Sequence, residues 1–233
     1  MNPKIQFVST VEGLADIEEC RPKPAKRFIP QWFKDVPAAA NYSLPTVRIC
    51  PSFTDYFSLG YIVPMWADFK LKHEDKKWSW ESSSEEFKMS SHPSEQFTKY
   101  VTPTLNGVEG QFFFKALSPW RIIAPKGWSV LQLPLFYHFN SDFSVSPGVI
   151  DSDIFTQANQ QILYHGNGKE IEIKRGTPFA LYVPFKRESS FLDLEVRSGT
   201  EEDLERFTKE DAVFLENNEY GLYRKMQRDR DKA

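Results

Sequence analysis

PKGWSVLQLPLFYHFNSDFSVSPGVIDSDIFTQANQQILYHGNGKEIEIKRGTPFALYVPFKRE, residues 125–188, decides the fold. Short apolar runs alternate here with turn residues, and none keeps a helical period for long. Gly127 turns the chain into a strand pair over Trp128 to Tyr137, interrupted at Pro134. Pro147-Gly148 is a second turn signal. A strand from Val149 to Phe155 follows and carries Asp151 and Asp153 on one face. Ile162 to Tyr164 and Glu170 to Ile173 flank Asn167-Gly168, and the spacing predicts a hairpin, because a type I′ turn needs two residues at positive φ. Arg175-Gly176-Thr177-Pro178 turns the chain once more, and Phe179 to Phe185 is the last strand. Strands this short, at this spacing, predict a mainly β fold: a jelly-roll barrel of the double-stranded β-helix kind, cupin-like, or a β-sandwich.

Upstream, the β pattern continues. Gln111 to Ala116 and Ser118 to Ile123 read as strands, Trp78 and Trp80 share a face at strand spacing, and Ala67 to Lys72 alternates apolar with charged residues. Tyr61 to Pro64 and Thr46 to Ile49 are further strands. Between them Ser52 is placed to cap a short helix with Phe53, Tyr56 and Phe57 on one face, ended by Gly60 in the left-handed conformation. Pro22, Pro24, Pro30, Pro37 and Pro45 exclude one continuous helix before residue 46. The piece from Ile29 to Lys34 fits a single helical turn, and the segment reads as an arm that lays its aromatics on the barrel. Beyond residue 190 the period changes: Thr200 caps a helix opened by Glu201, Glu202 and Asp203, and the charged end from Arg224 to Ala233 frays. The division is therefore an N-terminal arm over 1–45, a β-rich domain over 46–190 and a helical, charged tail over 191–233.

Composition narrows the function. The chain has 233 residues, 40% of them hydrophobic and 15% aromatic with 20 Phe, enough for one substantial core. A net charge of -3 lacks the basic excess that phosphate contacts demand, so no nucleic-acid partner is expected. Cys20 and Cys50 form no CxxC pair and read as separate reduced thiols. No apolar run is long enough for a membrane span, and the first residues, MNPKIQFVSTVEG, lack a signal-peptide core. The expectation is a cytoplasmic protein of the host cell, or one carried in a virion.

Residues 120–188 resemble a family found in T4-like tailed phages of cyanobacteria and in some bacteria. The resemblance rests on Trp120, on Pro125-Lys126-Gly127-Trp128-Ser129-Val130-Leu131, on Pro134, on Pro147-Gly148-Val149-Ile150-Asp151-Ser152-Asp153, on Arg175-Gly176-Thr177-Pro178 and on Val183-Pro184-Phe185-Lys186-Arg187-Glu188. Cys50-Pro51 to Pro64 fits as well, so that roughly residues 45–190 are covered. It implies a phage or bacterial setting and carries no catalytic residues with it.

Chemistry-bearing residues are few. A metal centre on such a fold needs two or three His with a carboxylate; His73, His92, His138 and His165 lie in separate segments with no HxH or HxD pair, so no metal and no cofactor is expected. Asp151 and Asp153, with Asp142, have the spacing for a divalent cation or for an acid–base pair acting on a sugar. The plainer reading of the same pair is strand-end pairing with Lys126 or Arg187. Trp120 and Trp128, with Trp66, Trp78 and Trp80, offer a stacking platform or core filling, and Lys186 with Arg187 an anion grip or surface ion pairs. There is no GxSxG elbow and no phosphate loop. The leading expectation is a non-catalytic accessory or structural module that binds a protein partner, a small ligand or further copies of itself. The alternative is a cupin-like enzyme acting on a sugar or small acid through Asp151, Asp153 and His138.

Overall fold

In the computed structural model, residues 3–40, 46–74, 77–91, 112–165, 169–190, 192–215 and 227–229 are described. They form two units: residues 1–28 with 60–190, and residues 29–59 with 191–233.

The larger unit is mainly β, every strand pair is antiparallel, and no sheet closes into a barrel among the described residues. Five strands form one sheet: β2 (Lys23–Pro24), β3 (Tyr61–Pro64), β14 (Pro178–Lys186), β9 (Trp128–Leu133) and β11 (Gly148–Ile150), in that spatial order. Four more form a second: β6 (Met89–Ser91), β7 (Phe112–Ala116), β12 (Gln160–Tyr164) and β10 (Phe143–Val145), with β10 at the edge. A three-stranded sheet holds β5 (Lys77–Ser82), β4 (Phe69–Glu74) and β13 (Ile171–Ile173), and β1 (Gln6–Ser9) pairs β8 (Trp120–Ile123). The fold class agrees with the sequence, and of its two forms the open sandwich is the one adopted.

Period-2 alternation produces this core. Along β12, Gln160, Ile162 and Tyr164 are buried while Gln161 and Leu163 are half-buried, and β10 buries Phe143 and Val145 around Ser144. Phe143, Val145, Ile162 and Tyr164 join Val63, Val130, Ala180 and Tyr182 of the five-stranded sheet and Phe69, Leu71, Ile171 and Ile173 of the three-stranded sheet in one apolar cluster. A buried polar chain crosses it. Gln160 Nε2 donates to the Tyr182 hydroxyl, which donates to Gln132 Oε1 at 2.9 Å, and Gln132 Nε2 donates to the Ser146 carbonyl at 2.9 Å. Burial pushes the Tyr182 hydroxyl pKa up and keeps it a donor.

The smaller unit contains α1 (Gln31–Asp35), α2 (Pro51–Tyr56) and α3 (Glu201–Leu215). Phe33 is its buried anchor, stacked on Phe53 with centroids 6.2 Å apart and tilted against Phe57 at 4.6 Å, under the Arg48 guanidinium. Thr200 caps α3 as expected: its hydroxyl accepts the Asp203 N–H at 3.2 Å and donates to the Asp203 carboxylate at 2.9 Å.

Four local expectations are corrected. Thr46 to Ile49 is a turn, because the Thr46 hydroxyl accepts the Arg48 N–H and the Thr46 carbonyl accepts the Ile49 N–H. The helix at 51–56 has Pro51 at its first position and Cys50 as cap, with no Ser52 hydroxyl bond. β12 and β13 do not pair with each other; β12 lies between β7 and β10, and β13 pairs β4. The link from β12 to β13 is thus a crossing between sheets, and Asn167-Gly168 lies outside the described residues. The strand beginning at Gly148 ends at Ile150, since the Asp151 carbonyl accepts the N–H groups of Ile154 and Phe155 at 3.0 and 2.9 Å in a turn. The charged end from Arg224 lies almost wholly outside the described residues.

Candidate functional site

Two features of the larger unit gather polar side chains, at opposite ends of β9. At the Trp128 end sits a braced carboxylate pair. Arg187 follows β14 and meets the turn after β11, because β14 and β11 flank β9 in the sheet. Its guanidinium donates to both oxygens of Asp153, at 2.8 and 2.6 Å, to the Ser129 hydroxyl at 3.1 Å and to the Trp128 carbonyl at 3.3 Å. Asp153 also accepts the Gly127 N–H at 2.8 Å, and its side chain is 4% exposed. The Arg187 fork and this N–H hold its carboxyl far below the usual carboxylate range. Asp153 is thus a permanent anion and a brace. Asp151 lies 3.5 Å from Arg187, accepts the Ser129 hydroxyl at 2.5 Å, and has a side chain 47% exposed. Lys186 sits 5.9 Å over the Trp128 ring.

The structure therefore brings together Asp151, Asp153, Trp128, Lys186 and Arg187. It does not bring in Trp120, which is 2% exposed in the core on β8, nor His138. Asp142 belongs to the turn before β10, where its carbonyl accepts the His165 N–H at 2.7 Å. Among the described residues no three His, Cys, Asp or Glu side chains converge on one point. Asp153, held by the Arg187 fork and the Gly127 N–H, is placed to brace the turn rather than to deliver a proton.

At the other end of β9 the chain forms a cleft of about 500 Å³. After Leu133, Pro134 ends the ladder, and a 3₁₀ turn over Phe136–His138 follows. Phe139 closes that turn at φ 50°, and it is the non-glycine residue of the described chain in the left-handed region. For an aromatic this conformation costs energy and marks a backbone position fixed by its surroundings. The result is a wall of rings: Phe136 and Phe139 are 67% and 64% exposed and pack edge to face with Tyr137. Asn140, Phe143, Ser144 and Val145 line the cleft along the outer edge of β10, and Thr177, Pro178 and Phe179 complete it.

His138 lies in this wall, and burial pulls its pKa below the usual histidine value. It is therefore neutral at pH 7 and able to accept a proton or a hydrogen bond. Ser144 forms a second polar element: its Oγ lies 3.0 Å from His165 Nε2 across the β10–β12 pair. Burial also lowers the His165 pKa, opposed by the Asp142 charge. Sequence reading missed this pair, since Ser144 sits in an ordinary strand and His165 lies 21 residues away. Only the register, Phe143 opposite Tyr164, makes the diagonal contact.

No protein-family model matches the chain, and no curated protein matches it in sequence. Among solved structures it is similar to a point mutant of the dUTPase from phage phi11 of S. aureus, at 10% identity and TM-score 0.38, over 85% of this chain and 97% of that one. A mutant of the phage 80alpha dUTPase gives 10% identity and TM-score 0.37 over 86% and 92%. The EIAV dUTPase gives 11% and 0.31 over 56% and 93%. These neighbours are enzymes, and on that finding the expectation of a non-catalytic accessory or structural module is withdrawn. No described helix is long and apolar enough to cross a membrane.

Proposed function

We propose that the chain is an enzyme acting on a small molecule with a flat apolar part, bound in the cleft at the end of β9, with His138 as its proton- or hydrogen-bond-accepting group. The observation that carries this reading is the place of His138, its pKa lowered by burial, in the ring-lined wall of a cleft of about 500 Å³. That volume fits a molecule of one or two rings, and an apolar cleft with a few placed polar groups and a shifted pKa is the usual form of a substrate site. The exposed faces of Phe136 and Phe139 support stacking of a planar group. Exposed apolar side chains at Val149, Ile154 and Phe155 support self-association. The family resemblance of residues 120–188 supports a phage or bacterial setting.

The test is a binding panel by calorimetry: nucleosides, nucleoside triphosphates, aromatic carboxylic acids and hexoses, against the native protein, Phe136→Ala and His138→Gln. A binder from a planar class, weakened roughly tenfold or more by either variant, is expected. Binding that ignores both substitutions, or no binder in the panel, overturns the reading.

A further inference from the structure

The Ser144–His165 pair gives this cleft a chemistry of its own. Ser144 lines the cleft and sits on the edge strand β10, so a molecule lying along that edge meets it without opening the sheet. Its hydroxyl is 3.0 Å from His165 Nε2. His165 itself does not line the cleft; it stands behind the serine, as a base behind its nucleophile must. Two features fix the histidine. Its backbone N–H donates to the Asp142 carbonyl at 2.7 Å, continuing the β10–β12 ladder, and the Asp142 charge acts on its ring. With the ring hydrogen on Nδ1, Nε2 accepts the hydroxyl hydrogen. A serine–histidine contact on a sheet can serve the sheet alone. Here one partner lines a ring-walled cleft and the other is a half-buried histidine whose pKa burial lowers, a combination that sheet pairing does not need.

Resting on the cleft reading above, we propose that Ser144 is a nucleophile, with His165 as its base, toward carboxylic esters that carry a flat apolar group. Ser144 Oγ attacks the ester carbonyl carbon while its proton passes to His165 Nε2. The bond from carbonyl carbon to alcohol oxygen breaks, and the departing alcohol takes that proton. Water then attacks the acyl-serine carbon and gives its proton to His165, which returns it to Ser144 Oγ as the carboxylic acid leaves.

Two experiments on the full chain test this. The first treats the native protein with a fluorophosphonate and maps the adduct by mass spectrometry. The second follows hydrolysis of p-nitrophenyl acetate, butyrate and benzoate by native protein, Ser144→Ala and His165→Gln, with circular dichroism of each variant. Expected are an adduct on Ser144, ester hydrolysis abolished in Ser144→Ala, and a loss of roughly 100-fold or more in His165→Gln. No adduct on the folded native protein, an adduct on another residue, or equal hydrolysis by folded Ser144→Ala overturns the proposal. The cleft reading fails separately: Ser144→Ala should still bind the planar ligand, so retained binding without an adduct removes the nucleophile alone, and loss of panel binding in the native protein removes both.

Discussion

Gly60 offers the sharpest test of the packing, because two costs can be separated there. Its φ is +66°, and a Cβ at this position would lie 2.2 Å from the Tyr182 carbonyl oxygen, 3.0 Å from its carbon and 3.2 Å from the Val183 Cα. All three atoms are backbone of β14, so no side chain can swing away. Gly13 has the same handedness, φ +72°, and a Cβ there would meet nothing within 4 Å. Gly13→Ala therefore measures the left-handed backbone term alone, roughly 1–2 kcal/mol. Gly60→Ala adds displacement of β14, an overpacking cost of roughly 1–3 kcal/mol. Moving Tyr182 also strains the Gln160–Tyr182–Gln132 chain. The combined loss of roughly 2–5 kcal/mol is a large part of a typical stability of about 5–15 kcal/mol. At about 2–4 °C per kcal/mol, the melting temperature should fall by roughly 4–20 °C. Urea unfolding followed by tryptophan fluorescence, with a thermal melt in the same buffer, gives both values. Equal losses for the two alanines, within about 0.5 kcal/mol, would refute the close approach of Gly60 to β14.

Tyr182→Phe removes one hydroxyl and leaves two buried glutamines short of a partner, so it should cost about 1–3 kcal/mol in the same urea assay; a neutral result would mean the chain is hydrated. Asp153→Asn should lower the melting temperature clearly more than Asp151→Asn, because Asp153 holds the Arg187 fork and the Gly127 N–H while Asp151 is half-exposed; the reverse order would show that Asp151 is the brace. Stability should depend on pH in two windows. Burial lowers the pKa of His73, His138 and His165, so the unfolded chain takes up these protons first, and stability should fall as pH drops below about 6.5. The depressed Asp153 pKa adds a further loss below about pH 4. A melting temperature that is flat from pH 8 to 5 would count against the lowered pKa of these half-buried histidines.

The sequence announced the β fold because alternation and turn residues are local signals. β9, β12 and β14 fall where 125–188 was read, and the Thr200 cap opens α3. Pairing was not legible. Asn167-Gly168 suggested that its flanking strands meet, yet β12 and β13 belong to different sheets, a choice made by distant partners. Nor does a dipeptide pattern show the stop after Ile150. Asp151 and Asp153 fit a strand by alternation, but the backbone turns so that their carboxylates reach Ser129, Gly127 and Arg187.

The two polar groupings differ in legibility for the same physical reason. Asp151, Asp153 and Arg187 are charged, and a charge near a sheet end must find a counterion, so composition alone narrows its partners. That necessity also lets the grouping serve the fold, since Asp153 and Arg187 satisfy each other through two hydrogen bonds. Ser144 and His165 are neutral and each is at home in an ordinary strand, so nothing local marks them. They become notable only when register sets them diagonal at a sheet edge, and when the Pro134 break builds a wall of rings beside that edge. A group whose partner is compelled by charge is easy to find and hard to use. The reverse holds for a hydroxyl and a neutral imidazole held 3.0 Å apart beside open space, where little beyond position has been spent and the proton can still move.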